Sequence, residues 1–246
     1  MPAPAQEAAW YGLPLLVVGW AALGWIAGIG INRIIHQLPR DLPPFGTPSC
    51  QSCSRPIAPI GWMSRACPSC GKPTGYDRTE WLAAGLFAVL AFRFSLSGSL
   101  VAYSVYSLVL IVVAAIDFRH RYVYSVIIYP GLVVAAILTP LLTGLDVGAT
   151  LVGIGAGFGI FLVFYLAGRL LYHGIEPIGK GDIEIAALAG AMVGFPRVLT
   201  ALFLGGVASA GVIAILLLAR RRGRRDFVPY GPGMCLGTVW AFFVPP

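Results

Sequence analysis

Apolar runs close to the length that spans a bilayer recur along nearly the whole chain, and they leave few folds open. They cover residues 11–31, 80–94, 100–117, 122–142, 147–171, 182–193, 199–219 and 227–243. A helix needs about 20 apolar residues to cross the hydrocarbon core, where backbone groups find no water and must bond to one another. Of the 246 residues, 58% are hydrophobic and 11% charged, against about 25% charged in soluble domains. The chain therefore reads as an all-α polytopic membrane protein with about eight transmembrane segments. The run at 182–193 is short for a full crossing. Pro229-Tyr230-Gly231-Pro232-Gly233 breaks the first third of the last run. The first ten residues carry no basic group, so the first run reads as a retained span rather than a cleaved signal.

The net charge of +7 calls for no nucleic-acid partner, because cytoplasmic loops of membrane proteins collect Lys and Arg. With the N-terminus outside and eight crossings, the cytoplasmic side holds Arg33, Arg40, Arg55, Arg65, Lys72, Arg78, Arg119, Arg121, Arg169, Lys180 and the five arginines from Arg220 to Arg225. Only Arg93 and Arg197 fall outside, a division of 15 against 2 of the 17 basic residues. The same topology puts Asp117 and Asp182 on one side, the cytoplasmic one. The arginine run reads as a topology anchor that also meets anionic membrane lipids.

One polar segment, roughly residues 32–78, is large enough to fold outside the membrane. It carries Cys50-x-x-Cys53 and Cys67-x-x-Cys70. Thiolates three residues apart around a tight turn point the same way, and two such knuckles suit tetrahedral zinc. Four thiolates leave no open position, so the site reads as structural. Disulfides are disfavoured on a reducing side. A small loop without a core of its own gains folding energy from the metal. Turns and short strands are expected there. Cys235, inside an apolar run, reads as packing.

Gly179-Lys180-Gly181-Asp182 sits at the mouth of an apolar run, where a carboxylate is costly unless it has a task. Gly179 and Gly181 read as residues that let the backbone bend and keep side chains off the carboxylate. Asp117 occupies a similar place before Phe118-Arg119-His120-Arg121. If the two meet, repulsion and burial drive their proton affinities apart, leaving one ionised and one protonated. The first takes a proton from water and the second bonds the scissile carbonyl. Other readings stand beside this. Both aspartates could face water at the headgroups, or Asp182 could cap its helix. A proton-coupled transporter or channel also uses membrane carboxylates. A structural subunit of a pilus or secretion platform would use the cysteine loop for docking. Glu184 reads as a third nearby carboxylate or as the lining of a polar recess. Glu80 suits pairing with Arg78 or Arg33, orienting the cysteine loop, or a headgroup position. Asn32 suits a cap or a cross-bond near the site. His173 and Glu176 form no convincing metal set with the aspartates.

Gly179 to Asp182 looks like the GxGD signature of membrane aspartyl proteases. The order of segments around it resembles the bacterial type IV prepilin peptidase family. Asn32-Arg-Ile-Ile-His-Gln-Leu38-Pro39 is similar to the segment after that family's first span, and the paired Cys-x-x-Cys follows. Tyr76-Asp-Arg-Thr-Glu80, Asp117-Phe-Arg-His-Arg and Pro229-Tyr-Gly-Pro232 resemble further family segments. The resemblance implies that Asp117 and Asp182 are catalytic. It implies cleavage of the basic leader of prepilins or pseudopilins after a glycine, at the cytoplasmic face of the inner membrane. It also implies methylation of the new N-terminal amine from S-adenosylmethionine, whose contacts the motifs leave unknown, and work beside pilus or secretion assembly proteins. The chain departs from the family at Tyr124-Ser125, where Pro-Asp or Pro-Asn is frequent, and at Glu184, where lysine is frequent. The expected domains are a first span at 1–31, a cytoplasmic four-cysteine loop at 32–79 and a protease core at 80–246.

Overall fold

The computed structural model describes residues 4–40, 42–43, 46–47, 49–50, 52–57, 66–72, 78–171, 179–218 and 230–245. His173, Glu176, Tyr76, Pro229 and the arginine run at 220–225 lie outside the described residues. Among the described residues eight helices stand where the apolar runs were read: α1 (Pro4–Gln37), α2 (Thr79–Phe94), α3 (Gly98–His120), α4 (Ser125–Leu142), α5 (Val147–Leu171), α6 (Lys180–Val193), α7 (Arg197–Leu218) and α8 (Gly231–Ala241). A 3-10 turn, Leu38–Arg40, follows α1. Among the described residues four helices are long and apolar enough to cross a membrane, within Gly12–Arg40, Gly98–His120, Ser125–Leu142 and Val147–Leu171. Within α7 the stretch Arg197–Val212 counts as a shorter apolar helix. At about 1.5 Å per residue, α6 and α8 fall well short of a hydrocarbon core about 30 Å thick.

The chain forms two compact units, Met1–Val89 and Leu90–Pro246. In the first, α1 lies directly on α2. A Cβ on Gly24 would come 2.8 Å from the Ala83 carbonyl oxygen, and one on Gly28 would strike the Glu80 Cα. Only glycine permits this approach. The cysteine loop gathers around Cys50, Ile57 and Cys67, with Ile29 of α1 packed against them. The expected short strands do not form among the described residues. A single antiparallel bridge pairs Ser49 with Pro56, because the tight cysteine turns leave too little extended chain for a ladder and Pro56 has no N–H to give.

In the second unit α3 is the inner helix. It starts on the Ser97 hydroxyl, which accepts from the Leu100 N–H at 3.3 Å. It ends at Arg121 in the left-handed region (φ 53°), whose N–H returns to the Asp117 carbonyl at 2.8 Å. Asp117 therefore lies one turn inside the helix, not at its end as the sequence reading had it. Two glycine seams set the rest. Between α5 and α6, a Cβ on Gly190 would lie 2.5 Å from the Gly153 carbonyl carbon, and one on Gly157 would lie 2.8 Å from that of Ala186. Between α7 and α8, a Cβ on Gly237 would lie 2.5 Å from the Gly205 nitrogen. Without a hydrophobic drive between lipid-facing helices, close backbone packing is what holds them. A buried polar tie joins α3, α4 and α6: the Tyr106 hydroxyl is 2.8 Å from Thr139 Oγ1, which lies 2.8 Å from the Ala191 carbonyl. Arg197 is buried, and its Nη1 donates to the Tyr103 hydroxyl at 3.2 Å.

Candidate active site

Asp117 is buried on α3 and is met head-on by the start of α8. The Gly231 N–H donates to its Oδ2 at 3.1 Å. A helix N-terminus offers unpaired N–H groups and the positive end of the helix dipole, so it suits a carboxylate. Gly231 is glycine for a steric reason. A Cβ there would lie 2.5 Å from Asp117 Oδ2 and 3.1 Å from both Asp117 Cγ and Ile185 Cδ1.

Asp182 is the third residue of α6, and its Oδ2 accepts from the Gly179 N–H at 3.0 Å. It stands inside the first turn and closes back on the residue that caps the helix, so it is not itself the cap. Folding brings the helices of Asp117 and Asp182 together, although 65 residues separate the two in sequence: the space beside Gly231 is bounded by Asp117 on one side and by Ile185, one turn past Asp182, on the other. The glycines of the motif give no special bend, though a Cβ on Gly179 would meet Asp182 Oδ2 at 3.5 Å, in keeping with a bare approach to the carboxylate. Gly179 is extended (φ −74°, ψ 152°) and needs no special backbone. Gly181 is helical, and its missing side chain admits Val123, whose Cβ would lie 2.6 Å from an added methyl carbon.

Glu184 is tied to α4. It accepts from Ser125 Oγ at 2.9 and 3.1 Å and from the Tyr129 hydroxyl at 3.1 Å. The two departures from the family pattern at Ser125 and Glu184 are thus partners. In the first unit, Asn32 Nδ2 donates to Glu80 Oε2 at 3.3 Å, with both residues buried.

The four loop cysteines converge. Their sulfurs all lie within 4.8 Å of one another and can hold a metal ion. The N–H groups of Ser52 and Cys53 pull the Cys50 thiol down to about 6. The N–H of Ser69, with that of Cys70, lowers Cys67 against the effect of burial. The N–H of Lys72 favours the Cys70 thiolate, but burial and the neighbouring sulfurs push that thiol up to about 11. A cation among the sulfurs would remove that last obstacle.

Sequence reasoning missed the role of Gly231. It used Pro229-Tyr230-Gly231-Pro232 as a break and a resemblance. The available signal was a Gly-Pro pair opening an apolar helix, a place where free N–H groups collect.

The profile of the type IV leader peptidase family matches residues 104–215, a stretch that contains both aspartates. A prepilin leader peptidase/N-methyltransferase of Bacillus subtilis (strain 168) is 29% identical over 207 residues, covering 79% of this chain and 80% of the relative. Proteins of the same name from Aeromonas hydrophila and Myxococcus xanthus (strain DK1622) are 25% and 29% identical. They cover 92% and 94% of this chain and 90% and 74% of their own lengths. No solved structure matches the chain. With its apolar helices and these relatives, the chain reads as an integral membrane protein and a protease, similar to the type IV leader peptidase family over the stretch that carries both aspartates.

Proposed function

We propose that this peptidase cuts the basic leader from type IV prepilins or pseudopilins after a glycine, at the cytoplasmic face of the inner membrane, with the N-terminus outside. What supports this reading is the convergence of the helices that carry Asp117 and Asp182 beside Gly231, with one oxygen of each carboxyl tied to a backbone N–H. Each carboxyl keeps its other oxygen for water or substrate. One carboxylate takes a proton from water, and the hydroxyl adds to the scissile carbonyl carbon. The other carboxyl carries a proton and bonds the carbonyl oxygen. The tetrahedral intermediate then collapses, the C–N bond breaks, and the leaving amine takes a proton from the dyad. The basic bias toward one side, 15 residues against 2, supports the orientation. In this reading residues 32–79 act as a cytoplasmic loop domain and 80–246 as the protease core, beside pilus or secretion assembly proteins.

The cysteine set fits zinc. Sulfurs of Cys50 and Cys70, and of Cys53 and Cys67, are 3.8 Å apart. A tetrahedron with Zn–S bonds of about 2.3 Å has edges of about 3.8 Å. Zinc bound there would fix the loop. The relatives' name also supports N-methylation of the new N-terminal residue, and S-adenosylmethionine supplies the methyl group when bound. Buried polar atoms with unmet bonds in the first unit fit a polar ligand of that kind.

The test is the mass of a co-expressed prepilin. The parent enzyme should remove the leader. Asp117→Asn and Asp182→Asn should each leave it in place, with folding and zinc content unchanged. Normal cleavage by either variant refutes the dyad.

A further inference from the structure

We propose that the polar seam between the end of α1 and the start of α2, formed by Asn32, Arg33, Gln37, Thr79 and Glu80, holds the amino-acid end of a methyl donor of the S-adenosylmethionine class. The inference rests on the N-methyltransferase reading above and deepens it by naming the residues.

The seam is narrow. Gly28 brings α1 onto the Glu80 backbone, and Asn32, one turn on, bonds the Glu80 carboxylate at 3.3 Å. Thr79 adjoins Glu80 in sequence. Arg33 adjoins Asn32, and Gln37 lies one turn further along the same face as Arg33 and Ile29, the residue packed on the cysteine cluster. From Asn32 to Gln37 the helix rises only about 7.5 Å, a span comparable to one amino acid with its side chain.

These residues are buried and polar where an apolar seam would be more stable. Asn32, Gln37, Thr79 and Glu80 are 1, 3, 7 and 9% exposed. Three of the seam's polar atoms have no partner: the Arg33 Nε, the Gln37 Oε1 and the Thr79 Oγ1. Gln37 is oriented, since its Nε2 donates to the Gly46 carbonyl at 3.0 Å and leaves Oε1 without a bond. Each unmet buried group costs about 1–3 kcal/mol, and such groups mark absent waters, ions or ligands.

The unmet groups have a defined complement. The Glu80 carboxyl has one described bond, to a neutral amide. Arg33 has no acidic partner among the described residues, and a guanidinium takes a carboxylate in two parallel bonds. An ammonium set against Glu80 and Gln37 Oε1, with a carboxylate against Arg33 and the Thr79 hydroxyl, answers each of them. A zwitterionic α-amino acid carries that pair of groups. A phosphate lacks the cation, and a simple amine lacks the acid. Among ligands suited to an N-methyltransferase, the methionine end of S-adenosylmethionine has both.

The test is equilibrium binding of labelled S-adenosylmethionine, and of its decarboxylated analogue, to the full-length enzyme in detergent. The parent chain should bind the complete donor at least about tenfold more tightly than the analogue. Arg33→Ala should bind the two equally. Glu80→Gln should weaken both by about tenfold or more. Zinc content and the thermal transition, followed in each variant, identify any that fails to fold, and Thr79→Val then serves as the milder substitute, weakening the complete donor more than the analogue. Retained preference in Arg33→Ala, or unchanged affinity in Glu80→Gln and Thr79→Val, overturns the site while leaving methyl transfer standing. No saturable binding by the parent chain, together with no methyl transfer to cleaved product, overturns the N-methyltransferase reading and the site with it.

Discussion

Replacing Gly231 with alanine tests the active-site geometry at its tightest point. The added Cβ would sit 2.5 Å from Asp117 Oδ2, whereas ordinary contact begins at 3.4 Å. The carboxylate must therefore retreat by about 0.9 Å, and retreat stretches the 3.1 Å bond from the Gly231 N–H. The new methyl carbon is also crowded by Ile185 Cδ1, at 3.1 Å. A misplacement near 1 Å costs on the order of a hundredfold in rate, about 2.7 kcal/mol of barrier. Weakening a hydrogen bond to a charged group costs about 1.5–3 kcal/mol, the same range. We expect turnover to fall by about a hundredfold while KM changes by less than about threefold, because the damage is to the reacting groups rather than to substrate docking. The assay is steady-state cleavage of a prepilin by purified enzyme, with the thermal transition measured in parallel. Gly211→Ala on α7 is the control, since a Cβ there meets nothing within 4 Å. Turnover within about twofold of the parent in a folded Gly231→Ala enzyme would refute the reasoning.

Asp117→Asn and Asp182→Asn should each remove cleavage below detection without shifting the thermal transition by more than a few degrees; a mass spectrum of the co-expressed prepilin decides. Chelation, or Cys50→Ser, should strip the loop metal and speed limited proteolysis between residues 49 and 72; unchanged metal content after Cys50→Ser refutes the site. Gly190→Val should overpack the α5–α6 seam and cost about 1–3 kcal/mol or more, seen as a lower thermal transition, whereas Gly155→Val, where a Cβ meets nothing within 4 Å, should not. Glu184→Ala removes hydroxyl bonds to a half-buried carboxylate and should cost only about 1 kcal/mol of stability; a larger fall in the thermal transition would mean that Glu184 bears more of the α4–α6 contact than these bonds explain.

The helices were legible because lipid dictates them. The apolar run at 147–171 and α5 coincide to the residue, and the turn after α4 is set by Asp146, whose Oδ1 accepts from the Ala149 N–H at 3.2 Å. What periodicity could not give was depth inside a helix. Asp117 read as a terminus because basic residues follow it, yet Arg119 and His120 simply complete the last turn, where cations suit the helix dipole. Nor could periodicity give burial within the bundle. Arg197 lies buried against Tyr103, whose ring stacks on Phe242 at 4.5 Å. A single sequence shows that an arginine opens a helix; it does not show which aromatic ring, far along the chain, will cover it. Glu184 and Ser125 were each visible as departures, and only the fold reveals that one accepts from the other.

The two carboxylates reach their places through the glycine seams rather than through polar contacts alone. Asp117 is fixed by the first N–H of α8, so its position is only as firm as α8. That helix is held where Gly237 and Gly205 let α8 and α7 touch at the backbone. Asp182 is fixed by its own helix start, so its position is only as firm as α6. That helix is held where its Gly190 and Ala186 meet Gly153 and Gly157 of α5. In water such short helices would need broad apolar faces to stay docked, but in lipid that drive is missing and close van der Waals packing replaces it. Backbone contact of this kind is stiff, because any sliding at once opens a gap or produces a clash. The arrangement suits two carboxyls that must be kept near each other. The cost of holding one beside an ionised neighbour is borne by rigid helix pairs, and the Gly231 and Gly179 N–H groups only have to aim them.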